Sequence, residues 1–132
     1  MQKIFLHGLG AGLISAIVCL FYSELYSSAM DVDFSDVINI FSVMGTCLFG
    51  SLIAAAGYYF LTTKVSDRDI VDVVFNIIFL TLTFLSCIYP FSVRLPFELE
   101  SPELFPGLVI PMHFFPVLFW IAFNPAFKHG RS

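Results

Sequence analysis

Three side chains able to hold a proton interrupt long apolar runs in this sequence: His7, Asp72 and His113. An ionisable group inside hydrocarbon is costly, so each is a candidate for an ion or ligand pathway. Asp72 stands about five residues into its run, roughly 7–8 Å deep at a helical rise of 1.5 Å per residue. His7 lies a similar distance into the first run, from the same side. The two could pair, or Asp72 could accept a hydrogen bond from Asn124. In one reading Asp72 is an acid at the membrane interface, steadied by the dipole of its helix. In the other it admits a proton or a cation.

His113 is set deeper, roughly 21 Å from the far end of its run, among Pro106, Pro111 and Pro116. A proline inside a helix removes a backbone donor and leaves a carbonyl without its partner. His113, or a hydroxyl such as Thr83 or Ser86, could supply the missing donor. The alternative is a histidine that contacts a ligand or relays a proton beside a deformable helix, as transporters do near the midplane. Asn76 and Asn124 complete the polar set. No second catalytic group stands beside His113, and no CxxC or Cys/His spacing points to a metal. Estimated depths that differ by more than about 10 Å argue against a bis-histidine haem from His7 and His113, and no cofactor is expected. Cys19, Cys47 and Cys87 each sit in an apolar run. An odd number there argues for small packing residues and against a disulfide framework.

The elements that carry these residues follow from composition. The chain has 132 residues, 58% of them hydrophobic and only 12% charged, with a mean hydropathy of +0.90. So small a protein has too little interior to hide that excess, so lipid must solvate much of its surface. A soluble enzyme is excluded, as is a disordered tail. A net charge of −4 leaves no basic footprint for nucleic acid. A helix needs roughly 20 apolar residues to span the hydrocarbon core, and four runs qualify, at about 4–26, 34–63, 67–89 and 105–127. Asp33 with Asp36, and Ser66 with Asp69, read as capping pairs at the starts of the second and third spans. Pro90 and Pro96 end or kink the third, while Pro106 suits the first turn of the fourth. Between them, Ser101, Pro102 and Glu103 read as the start of a short extracytoplasmic helix. The first run is longer than a signal-peptide core and is read as an uncleaved span.

Orientation comes from the basic residues. Lys3, Lys64, Arg68, Lys128 and Arg131 fall at the termini and the second connection, whereas the first and third connections hold only Arg94. Both termini are therefore expected in the cytoplasm, in a bacterial inner membrane, with acidic residues outside and Arg94 pairing with Glu98 or Glu100. Tyr22, Tyr26 and Tyr89 would mark the outer interface, and Tyr58, Tyr59 and Trp120 the inner one.

The expected fold is an all-α, up-down-up-down, antiparallel four-helix membrane bundle forming one domain. Small residues should hold it together: Gly8 and Gly12, with Ser15 and Cys19, on the first helix, and Asn39, Ser42, Thr46, Gly50 and Gly57 on the second. Intramolecular packing is favoured over a dimer seam. With no catalytic constellation, the expected role is accessory, assembly or structural, among lipids and other membrane subunits or copies of itself. A carrier or channel for a small solute or ion through Asp72 and His113, as an oligomer, is the alternative. A lipid- or quinone-associated enzyme using His113 ranks last.

Overall fold

The computed structural model describes residues 1–92 and 101–129, with side chains to 125, and contains no strand among them. Its helices are α1 (Gln2–Met30), α2 (Ile40–Lys64), α3 (Arg68–Ser86), a short α4 (Tyr89–Ser92) and α5 (Phe105–His129). A 3-10 turn, Pro102–Leu104, leads into α5. Four helical stretches are long and apolar enough to cross a membrane: α1, α2, Arg68–Ser92 and Pro102–Pro125. Large side chains such as Leu6, Phe21, Phe41 and Phe49 are left on the outside, Phe41 with 88% of its surface bare. In water such a surface would aggregate; in hydrocarbon it is the matching face.

Helix starts differ in detail from the sequence reading. α2 begins six residues later than expected, because Asn39 and Ser42 form a reciprocal capping box, with Asn39 Oδ1 accepting the Ser42 N–H at 2.8 Å. Asp33 instead accepts the Ser35 N–H in the connection at 2.8 Å. Phe34, expected to open the second span, is buried there against Phe105. At α3 the cap is Asp67 and not Ser66: its carboxylate accepts from the backbone of Asp69 and Ile70. Ser101 adopts a left-handed backbone, φ 52°, and its side chain caps nothing. The Arg94 pairing with Glu98 or Glu100, and the turn at Pro96, lie outside the described residues.

The tightest seam runs between α1 and α2. A Cβ added to Gly8 would stand 2.7 Å from Ala55 Cβ and 2.8 Å from the Ser51 carbonyl oxygen. One added to Gly12 would meet Ser51 Cβ at 3.0 Å and the Cys47 carbonyl at 3.1 Å. Only a missing side chain lets these backbones approach so closely. On α2 the matching face is Val43, Cys47, Ser51, Ala54, Ala55 and Tyr58. Gly50 and Gly57, expected to pack toward the bundle interior, lie outside this seam. A Cβ at Gly50 would meet nothing within 4 Å, and one at Gly57 would touch only Phe75, at 3.7 Å.

Candidate functional site

Helix α5 carries Pro111, Pro116 and Pro125 inside its length. Each lacks the N–H that would bond to the carbonyl four residues earlier, which leaves Gly107, Met112 and Ile121 short of a donor. Helix α1 supplies donors to the first two from Tyr22 and Cys19, three residues apart, and bonds α5 at two further carbonyls. Tyr22 Oη donates to the Gly107 carbonyl at 3.0 Å, and the Cys19 thiol donates to that of Met112 at 3.6 Å. His7 Nε2 donates to Trp120 O at 3.1 Å, next to Ile121. At the other end Tyr26 Oη reaches the Leu104 carbonyl at 2.8 Å. The candidates first suggested for this work do something else. His113 Nδ1 bonds to Val109 O at 2.8 Å within its own helix. Thr83 and Ser86 bond to the carbonyls of Phe79 and Thr83. Long side chains crossing from α1 fill the gaps because α1 packs directly on the proline-bearing face.

His7 and Asp72 do come together, at the end where the start of α1, the end of α2, the start of α3 and the second half of α5 converge. Both are buried, and they lie close enough to interact electrostatically. The His7 ring stacks on the Trp120 indole with centroids 4.4 Å apart and planes 10° from parallel. Asp72 Oδ1 accepts the Tyr58 hydroxyl at 2.5 Å, so Tyr58 is the donor where Asn124 was first considered. Asn124 is half-buried on α5. Tyr58, Phe75 and Phe79 pack their rings around Trp120. Tyr58 and Trp120 are therefore interior residues and not interface anchors: Trp120 is only 1% exposed. Asn76 Oδ1, Ser51 Oγ and Trp120 Nε1 are buried without a hydrogen-bond partner among the described residues.

His113 stands apart from that cluster. It lines a cavity of about 650 Å³ between α2, α3 and α5. The walls include Ile38, Ile53, Leu61, Phe75, Leu82 and Phe105, with Gly50 and Gly57 lowering the α2 wall. Gly50, Ile53, Gly57, Ile78 and Leu82 are exposed, so the cavity is a groove open to the surrounding hydrocarbon. Its hydroxyls are already engaged: Thr46 with the Ser42 carbonyl at 2.6 Å, Thr83 and Ser86 as above. A carbonyl oxygen only accepts, so His113 Nδ1 is the donor in its bond to Val109.

The same groove is lined by Cys19 and Cys47. Both thiols are free, and Cys47 donates to Cys19 with the sulfurs 3.8 Å apart. The close approach at Gly12 is what brings them into register across the α1–α2 seam. Sequence inspection could have found the donors on α1. Counting back four residues from Pro111 and Pro116 names the Gly107 and Met112 carbonyls, and the helical spacing of Cys19 and Tyr22 names the face that reaches them. The groove has no such signal, because its walls come from several helices that no single stretch of sequence pairs. No group of three or more metal-binding side chains occurs among the described residues. No family model matches the chain, and no curated protein or solved structure is significantly similar to it.

Proposed function

We propose that this chain is a small multi-pass membrane protein that holds one lipid-like hydrocarbon chain, acyl or isoprenoid, in the groove between α2, α3 and α5, in an accessory or carrier role. The groove and its dimensions carry the reading. Along α2 its lining runs from Ser42 to Leu61, roughly 29 Å at 1.5 Å per residue. A single hydrocarbon chain, whose carbons pack about 4 Å from their neighbours, suits an elongated apolar groove of about 650 Å³. The apolar lining suits hydrocarbon, and His113 offers one polar side chain to the guest.

An ion path through both Asp72 and His113 has less support, since Asp72 is enclosed with Tyr58, His7 and Trp120 while His113 faces the groove. The arrangement we infer is up-down-up-down with both termini in the cytoplasm of a bacterial inner membrane and a short extracytoplasmic helical turn before the last span. The Lys and Arg distribution supports it.

A diazirine-bearing palmitate in phospholipid vesicles tests the reading. Expected is label concentrated on groove peptides containing Ile53, Ile78 and Leu82, and lost from Gly50→Phe, which fills open space. Label spread evenly over Leu6, Leu13 and the other outward faces of α1 would overturn it.

A further inference from the structure

We propose that Cys19 and Cys47 form a redox-active dithiol at the groove wall, oxidised to a disulfide by a lipid-soluble quinone. This rests on the groove receiving a hydrocarbon chain, and it specifies the guest as a quinone bearing an acyl or isoprenoid tail.

Three observations converge on the pair. The sulfurs are already 3.8 Å apart and hydrogen-bonded, Cys47 to Cys19, so a shift of less than 2 Å brings them to the roughly 2.05 Å of a disulfide. They come from different helices held together at Gly12, where the backbone of Cys47 itself is the close neighbour, so the approach is built into the seam. Both side chains line the groove with His113, which gives an apolar oxidant a path to thiols that water scarcely reaches: Cys19 is 1% and Cys47 6% exposed. Small residues packing a seam need none of these; Ala55 fills the same seam against Gly8 with no chemistry.

The reaction balances without a further reagent. Two S–H bonds break and one S–S bond forms. Two electrons and two protons pass to the quinone carbonyl oxygens, which become the hydroxyls of a hydroquinone. Cys47, the donor in the pair, is the thiol that meets the quinone, and Cys19 closes onto it. Oxidation also withdraws the thiol hydrogen that Cys19 gives to Met112, so the redox state of the pair is felt at the carbonyl that Pro116 leaves without a helical donor.

The test uses the full chain in phospholipid vesicles under argon, with decylubiquinone as the probe. Thiols are counted by maleimide tagging after denaturation. Three reactive cysteines are present at the start. Decylubiquinone is expected to remove two, leaving Cys87, while excess palmitate slows the loss. Cys19→Ser and Cys47→Ser are each expected to keep both remaining thiols, and serine at 19 still donates to Met112. Closure with the water-soluble oxidant diamide but not with decylubiquinone overturns the proposal, as does inertness to both. In either case the diazirine-palmitate labelling stands or falls separately and reports on the groove itself.

Discussion

Cys19 places its thiol 3.6 Å from the carbonyl oxygen of Met112, the acceptor that Pro116 strips of its own helical donor. The repair is conditional on the proline, which makes it measurable. Cys19→Ala should destabilise the bundle by about 1 kcal/mol, the scale of a side-chain hydrogen bond in a membrane protein. Cys19→Ser should be close to neutral. In a Pro116→Ala background, where the backbone N–H returns, the cost of Cys19→Ala should largely vanish. Unfolding in mixed micelles with increasing SDS would complete the double-mutant cycle, and a coupling of zero would contradict the relationship.

Tyr22 offers a second instance with a different donor. Tyr22→Phe removes the hydroxyl that Gly107 accepts and should cost about 1 kcal/mol. Pro111→Ala should erase that cost while leaving the effect of Cys19→Ala unchanged. Equal coupling of both tyrosine and cysteine to both prolines would mean α5 responds as a whole and not carbonyl by carbonyl.

The glycines divide into two sets. Gly8→Ala should destabilise by about 1–3 kcal/mol, since its Cβ meets Ala55 and the Ser51 backbone, neither of which can swing aside. Gly12→Ala, with contacts at 3.0–3.1 Å, should cost less. Gly50→Ala, in open space, should fall within about 0.5 kcal/mol of the parent. The same SDS titration ranks the three.

How much of this was legible beforehand differs by residue. Gly8 and Gly12 could be read because a GxxxG leaves a mark in one helix alone. Gly50 and Gly57 share that chemistry but not that role, because which face of α2 meets α1 is decided by the partner's surface. Tyr58 and Trp120 were assigned to the membrane interface by residue type; in the fold the phenol meets Asp72 and the indole meets His7, contacts that need four helix ends at once. The four spans were written in composition. The groove was not, since it belongs to no helix.

Tyr58→Phe should destabilise by about 1–3 kcal/mol by taking the donor from a buried carboxyl group. Asp72→Asn should cost less, because an amide oxygen still accepts from Tyr58. A result in the opposite order would show that the charge on Asp72, and not this hydrogen bond, dominates the cluster.

Asp33 gives a pH dependence at the connection between α1 and α2. The Ser35 backbone N–H, donating to its fully exposed carboxylate, holds its pKa below the usual value. A depressed pKa means the contribution is complete above the ordinary carboxylate range and is lost as pH falls through the lowered value. The protection of the Ser35 amide, its exchange rate relative to the intrinsic rate at the same pH, should therefore fall only in acid, and Asp33→Asn should flatten that dependence. Amide exchange in micelles between neutral and acid pH reads it directly.

The bonds from α1 to the proline-bearing helix also set an order of assembly. During synthesis the first span enters the bilayer long before the last one emerges. A polypeptide carbonyl left bare in hydrocarbon costs several kcal/mol, so the final span is a poor candidate to insert and persist by itself. It needs Tyr22 and Cys19 waiting for it. A nascent chain cut short after α3 would hold donors with no carbonyl to meet. A chain begun after α1 would hold carbonyls with nothing to meet them, which makes the first span an internal chaperone for the last.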